Sequence, residues 1–297
     1  MKFKSWQAEL GLLLVTIVWG GTFLFTKVGL EDCPPSLFMA MRFSLALIAS
    51  LIFFRKYLKK MTIPILKQGS FLGVMFAVGF VFQTYGLQYT KVSSSAFITG
   101  MTVVLTPIAY YFVEKKKINF WQIIGVITAY AGLIIFTNPK LGSLNSGDLL
   151  TAVSCIFWAI YITYMDVFTR GKEDFSETAL LVIGQFLPAI PITLLMYFIF
   201  DYGVPVKFTT SLISGLLYNG IIASFILTVI HTAVQRFTTP VKAALIFSLE
   251  PVFASIFAIM FIGEILMGNE LSGGVILMFG VLISELAPML FTKNIEK

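Results

Sequence analysis

The chain has 297 residues, of which 58% are hydrophobic and only 12% charged, about half the charged fraction of an ordinary soluble domain. That composition excludes a soluble globular protein and points to an integral membrane protein. The net charge of +6 sits in blocks beside apolar runs, a placement that argues against a nucleic-acid partner and makes the basic residues orientation signals and contacts for the lipid bilayer.

About 20 apolar residues cross a bilayer core as a helix. Ten such runs are predicted in chain order: Leu10–Leu30, Pro35–Phe54, Leu66–Leu87, Ser93–Val113, Asn119–Thr137, Gly147–Phe168, Ser176–Phe200, Ser211–Phe237, Val241–Gly263 and Leu271–Leu290. The first is too long for a signal-peptide core and no small-residue cleavage site follows it, so it is expected to stay in the mature chain. The connections are short and leave no room for a separate soluble domain. The expected fold class is an all-α integral membrane protein with ten transmembrane helices.

Of the 21 Lys and Arg residues, 15 fall on one side of the predicted spans: Lys2, Lys4, Arg55, Lys56, Lys59, Lys60, Lys67, Lys115, Lys116, Lys117, Arg170, Lys172, Arg236, Lys293 and Lys297. Lys91, Lys140 and Lys207 fall on the other, while Lys27, Arg42 and Lys242 lie within or at the ends of spans. The positive-inside rule then places both termini in the cytoplasm of a multi-pass cell-membrane protein.

The halves repeat. Glu9 and Trp19 match Asp148 and Trp158 at an offset of 139; Gly73, Gln88 and Ala96 match Gly220, Gln235 and Ala243 at 147; Gly125 and Gly132 match Gly273 and Gly280 at 148. Two five-helix units are expected, residues 1–140 and 141–297. Because five is odd, the second unit is inverted in the membrane, an arrangement typical of secondary transporters. Gly125 with Gly132, and Gly273 with Gly280, suit close helix packing, either within one chain or in a homodimer.

Cys33 and Cys155 form neither a metal pattern nor a disulfide framework. No phosphate loop, metal-ligand spacing or nucleophile motif occurs, so neither an enzyme nor a cofactor or metal is expected.

Trp19-Gly20-Gly21-Thr22-Phe23 resembles the Trp-Gly-x-x-Phe signature of the EamA-type transporters of the drug/metabolite transporter superfamily. Arg42, Ala96-Phe97-Ile98-Thr99-Gly100 with Pro107, and Leu249-Glu250-Pro251-Val252-Phe253 followed by Gly263-Glu264 fall where that family has comparable elements. The second half departs from the pattern, with Trp158-Ala159 in place of Trp-Gly and no counterpart of Arg42 in its second helix. The resemblance implies a 5+5 inverted-repeat carrier of small metabolites, commonly amino acids or amphipathic compounds and often outward. It also implies a cavity lined by helices one, three and four with six, eight and nine.

On those helices Trp19, Phe23 and Lys27 share one face at i, i+4 and i+8, and Trp158, Ile162 and Asp166 share the equivalent face of the sixth. Gln83, Thr99, Tyr161 and Asn219 are polar groups able to bond a substrate or a neighbouring helix. With Trp19, Trp158, Phe247 and Glu250 they make up the candidate substrate-binding set. Glu250 reads either as a hydrogen-bonded element of a kink at Pro251 or as a substrate-amine or proton site. His231, the one histidine, Lys27 and Asp166 are further candidates for proton transfer or gating, and Lys27 and Asp166 also suit local pairing or snorkelling. Arg42 is expected to pair locally with Glu31 or Asp32. The expected function is alternating-access transport of a small-molecule substrate, with export of amino acids or related amphipathic compounds favoured and protons as the candidate coupling ion. A drug or organic-cation efflux carrier, and a passive facilitator or channel, are the alternatives.

Overall fold

The computed structural model describes residues 5–115, 119–137, 145–169, 174–235, 237 and 246–291, and among these every regular element is helical. The helices are α1 (Ser5–Gly29), α2 (Pro35–Phe54, followed by a 3-10 turn at Arg55–Lys60), α3 (Ile63–Tyr89), α4 (Val92–Glu114), α5 (Phe120–Thr137) and α6 (Ser146–Thr169). They continue with α7 (Phe175–Met196, ending in a π-helical turn at Tyr197–Asp201), α8 (the continuous stretches Thr210–Leu217, Tyr218–Leu227 and Thr228–Gln235), α9 (Glu250–Ile262) and α10 (Gly268–Phe291). Seven are long and apolar enough to cross a membrane, and Phe120–Phe136, Glu250–Ile262 and Gly268–Ser284 are shorter apolar stretches. A bilayer leaves no water for exposed backbone groups, and helices bond those groups internally.

The helix ends follow local chemistry. Pro34 and Pro35 open α2, where a missing N–H costs nothing. Thr62, Asp174 and Thr209 accept from the first-turn amides of α3, α7 and α8. Asp174 also bonds the Ser176 hydroxyl and pairs with Lys60 at 3.1 Å, and the Ser176 bonds come first in drawing its carboxyl down to about 2.

One predicted span differs in kind. Within Val241–Gly263 the described residues start at 246: residues 246–247 are helical, Ser248–Leu249 form a turn, and α9 begins at Glu250. Pro251 explains the break: its ring lacks an N–H and clashes with the carbonyl four residues earlier, so it is accommodated in the first turn of α9. Glu250 therefore stands in the first turn of α9. Residues 241–245, with Lys242 and the repeat anchor Ala243, lie outside the described residues, as do Lys2, Lys4, Lys116, Lys117, Lys140, Arg170, Lys172, Arg236, Lys293, Lys297 and the side chain of Gln235.

The most extensive contacts are reciprocal between the halves. The most extensive contact is α5 on α10; α3 packs on α6 and α7, as α8 packs on α1 and α2; α4 packs on α6, as α9 packs on α1. Glycine sets the closest approaches. A Cβ on Gly125 would lie 2.6 Å from the Gly280 carbonyl oxygen, and one on Gly132 would lie 2.4 Å from the Leu277 amide. From the other side, Cβ atoms on Gly273 and Gly280 would lie 2.3 Å from the amides of Phe136 and Ala129. The α5 and α10 glycine faces are thus used within the chain, so they are not free as a dimer seam.

A methyl group at Gly280 must push two backbones apart, and overpacking of this kind costs about 1–3 kcal/mol. Gly280→Ala is expected to lower the melting temperature of the detergent-solubilised protein by several degrees. Gly268→Ala, whose Cβ meets nothing within 4 Å, is expected to melt like the parent chain.

Candidate substrate cleft

A narrow polar cleft opens between α1, α2 and α3, lined by Thr22, Phe23, Thr26, Arg42, Phe80, Gln83, Thr84 and Leu87. Phe80, Gln83, Thr84 and Leu87 follow i, i+3, i+4, i+7 spacing and so form one stripe of α3; Thr22 and Thr26 are one turn apart on α1. As it stands, the cleft has room for about one water molecule. Gln83 Nε2 donates to Thr99 Oγ1 at 3.0 Å, tying the cleft wall to α4.

Arg42 lies about 10 Å into α2 and is 4% exposed. It does not pair with Glu31 or Asp32: the Asp32 carboxylate accepts from Thr209 Oγ1 instead, and Glu31 is exposed. A Cβ on Gly220 would lie 3.1 Å from the Arg42 carbonyl oxygen, so the bare glycine lets α8 settle against α2 at this level. Ser224, one turn on, then accepts from Arg42 Nε at 2.7 Å, and the guanidinium carbon lies 4.3 Å from the Phe80 ring centroid. Ser224 belongs to the ten-residue π-helical stretch Tyr218–Leu227, a rare geometry often found at functional sites.

The corresponding contact in the other half has a different chemistry. Gln185 on α7 stands against Gly73 as Arg42 stands against Gly220, a Gly73 Cβ being only 2.1 Å from the Gln185 carbonyl oxygen. The buried Tyr161 hydroxyl bonds Gln185 Oε1 at 3.0 Å, filling this place with a neutral pair.

The expected aromatic contacts form two groups. Trp19 packs against His231 and Phe247 at 5.3 and 5.5 Å between ring centroids, with a long 3.5 Å bond to the Ala223 carbonyl. Trp158 packs against Phe80, Phe76 and Tyr161 at 4.7, 5.6 and 5.7 Å. Only the second group adjoins the cleft, through Phe80. Asn219 is fully buried between α1 and α8, accepting from Thr26 Oγ1 and donating to the Gly215 carbonyl. Glu250 is half-buried on the α9 face that, one turn later, packs Ala254 against α1 at Gly20. Asp166 is half-buried at the far end of α6, on the side opposite Lys27.

Lys27 has a defined local partner. Its ammonium lies 2.7 Å from the Leu87 carbonyl, 2.8 Å from that of Thr90 and 3.3 Å from that of Gln88, closing the C-terminal end of α3. Further ties lie at the same end of the bundle. Thr90 bonds Asp148, Lys91 pairs with Glu270 at 2.7 Å, and Glu264 accepts from the Val92 and Ser93 amides at the start of α4.

Arg42, Thr22, Thr26, Phe80 and Thr84 entered the cleft without having been singled out as substrate contacts. Their helical spacing was visible in the sequence; the face each turns inward depends on packing between helices far apart in the chain.

A multi-helix bundle enclosing a polar cleft beneath a closed polar end is the build of a membrane carrier. The EamA-like transporter family matches residues 6–138 and 145–286, and the chain belongs to that family. It is a multi-pass membrane transporter. An uncharacterized transporter of Archaeoglobus fulgidus is 30% identical over 283 residues, spanning 95% of this chain and 87% of its own. A probable amino-acid metabolite efflux pump of Salmonella typhimurium is 25% identical over 286 residues, spanning 92% of each chain. A solved crystal structure superposes with a TM-score of 0.69 at 15% identity over 99% of this chain and 100% of that one, and so shares the fold.

Removing the Lys27 ammonium leaves three carbonyls without their donor. Lys27→Met is expected to destabilise the folded protein by about 1–2 kcal/mol, read as a lower melting temperature. Lys27→Arg, which keeps the charge and the donors, is expected to recover most of the loss.

Proposed function

We propose that the chain is a ten-helix carrier built as two inverted five-helix units, close to residues 1–140 and 141–297, that exports amino acids or related amphipathic compounds by alternating access. The observation that carries this reading is the reciprocal packing. Exchanging each helix for the one five places on in the order maps the most extensive contacts onto one another, with α5–α10 and α2–α7 mapping onto themselves and α3–α6 onto α8–α1, while α4 also touches α5 and α10 without such a counterpart among the described residues. Two such halves exchange roles as a cavity between them opens first to one side and then to the other. The probable amino-acid metabolite efflux pump of Salmonella typhimurium supports the substrate class.

Glu250 is the proposed proton site, because an acid at a broken helix within the bilayer is a functional position by default. Trp158 and Tyr161 act from the second half through Phe80, and Gln83 and Thr99 form the polar wall. Trp19, Phe247 and Asn219 are assigned to the moving contact between α1, α8 and α9, with His231 beside them. Asp166 is assigned to the inner end. Both termini lie in the cytoplasm.

Purified protein in liposomes preloaded with labelled L-phenylalanine, L-leucine or L-threonine is expected to accelerate efflux of at least one of them, and to do so faster under an inward proton gradient. Glu250→Gln is expected to retain amino-acid binding and lose the gradient effect. Efflux equal to that of empty liposomes for all three overturns the substrate class.

Orientation has its own test, in a background lacking Cys33 and Cys155. A cysteine at Val204, exposed between α7 and α8, is expected to react with an impermeant maleimide on intact cells. One at Lys59, between α2 and α3, is expected to react only after permeabilisation.

A further inference from the structure

We infer that Arg42 is the anchor for a carboxylate carried by the substrate, so that an acidic group is required of the cargo; this rests on the carrier reading and narrows its substrate class. Arg42 is a buried cation without an anion. Lys60 pairs with Asp174 and Lys91 with Glu270, both at the ends of helices, whereas no carboxylate pairs with Arg42. Its one hydrogen bond uses Nε, directed to the neutral Ser224 hydroxyl. Both terminal nitrogens of the guanidinium remain without an acceptor, and the side chain lines the cleft together with Thr22, Thr26 and Gln83.

A desolvated guanidinium with a neutral hydroxyl and the rings of Phe80 and, farther off, Phe43 for company is costly to keep. The cost is offset when a carboxylate arrives, because the planar fork of N–H donors matches two carboxylate oxygens. The neighbouring unpartnered nitrogens have the same polarity. Trp158 Nε1 is buried without an acceptor, and its ring lies 4.7 Å from the same Phe80 ring that Arg42 covers. Gln185 Nε2, the amide bonded through Oε1 to Tyr161, is likewise a buried donor without an acceptor. The free fork of Arg42, lining the cleft with one ring between it and the Trp158 donor, suits an acceptor, and a carboxylate is a strong one.

A purely structural role for Arg42 predicts a different balance. There the Ser224 bond and the Phe80 contact would be the reason for the residue, and removing either would unfold the bundle without touching specificity. A cationic cargo would be repelled from the cleft, so an organic-cation carrier is disfavoured by this side chain.

Three probes that share a benzyl group separate the charges: L-phenylalanine carries both, phenylacetate only the carboxylate, and phenethylamine only the amine. Ligand-dependent melting and equilibrium binding would be measured on the full-length protein in nanodiscs, with L-leucine and L-threonine each set against its decarboxylated amine. Carboxylate probes are expected to raise the melting temperature and the amines to leave it unchanged. Arg42→Gln is expected to weaken carboxylate binding by about 10- to 100-fold while the ligand-free protein melts within a few degrees of the parent. Ser224→Ala, which removes the structural bond and leaves the charge, is expected to bind carboxylates within about threefold of the parent. If Arg42→Gln does not fold, selective binding by the Ser224→Ala and Arg42→Lys variants carries the test: loss of selectivity in Ser224→Ala, or its absence in the parent, overturns the proposal. Binding of phenethylamine as tight as that of phenylalanine overturns the anchor and leaves the carrier reading standing. Binding of phenylacetate without any amino acid keeps the anchor and removes the amino-acid reading.

Discussion

The close approach of backbones at glycine governs this structure. In lipid, association of helices gains little from hydrophobic burial, because acyl chains are as apolar as leucine; what remains is tight van der Waals packing and bonds between helices. Where Gly125, Gly132, Gly273 and Gly280 face one another, α5 and α10 meet backbone to backbone. Where Gly73 meets Gln185 and Gly220 meets Arg42, α3 lies on α7 and α8 on α2. The second pair of contacts has a chemical consequence. By letting α8 rest on the Arg42 carbonyl, Gly220 delivers Ser224 to the guanidinium and turns that side chain toward the cleft.

Matched positions in the two halves carry unmatched chemistry. The α2–α8 contact holds a cation beside Ser224 and Phe80, and the α3–α7 contact holds a neutral amide bonded to Tyr161. Of the two matched helix contacts, one holds a charged side chain and the other a neutral amide bonded to a tyrosine. That asymmetry sets the Arg42 guanidinium on the α2 side of the cleft, next to the aromatic cluster of Phe76, Phe80 and Trp158. The polar ties above the cleft, from Lys27 to the α3 carbonyls and from Lys91 to Glu270, close the same end of the bundle. They also lie where water can reach them, so they can be exchanged for hydration at low cost when that end opens.

Glu250 shows how a proline resets the start of a helix. Hydropathy reads residues 241–263 as one span, because it averages over a window and registers no backbone donor. With Pro251 in place, the acid becomes a first-turn residue of α9. The sequence already displayed the Glu-Pro pair; its effect on the span emerged only from the break at Ser248–Leu249.

Much about this protein was legible before any coordinates. Membrane insertion, the all-helical class and the paired glycines follow from composition and period, since a bilayer leaves the backbone no alternative to internal bonding and the side chains facing lipid must be apolar. The motifs around Trp19 and Glu250 pointed to the right family for the same reason: they are local. The cleft was less legible. Arg42 was read against its neighbours in sequence, Glu31 and Asp32, and the structure pairs it with Ser224, 182 residues away. Trp19 and Trp158 looked equivalent, and packing gave one to His231 and Phe247 and the other to Phe80. Composition and periodicity determine that a helix forms and which residues share a face. Which face turns inward, and which buried donor is left without a partner, is decided by contacts between helices distant in the chain, and only the tertiary structure contains those.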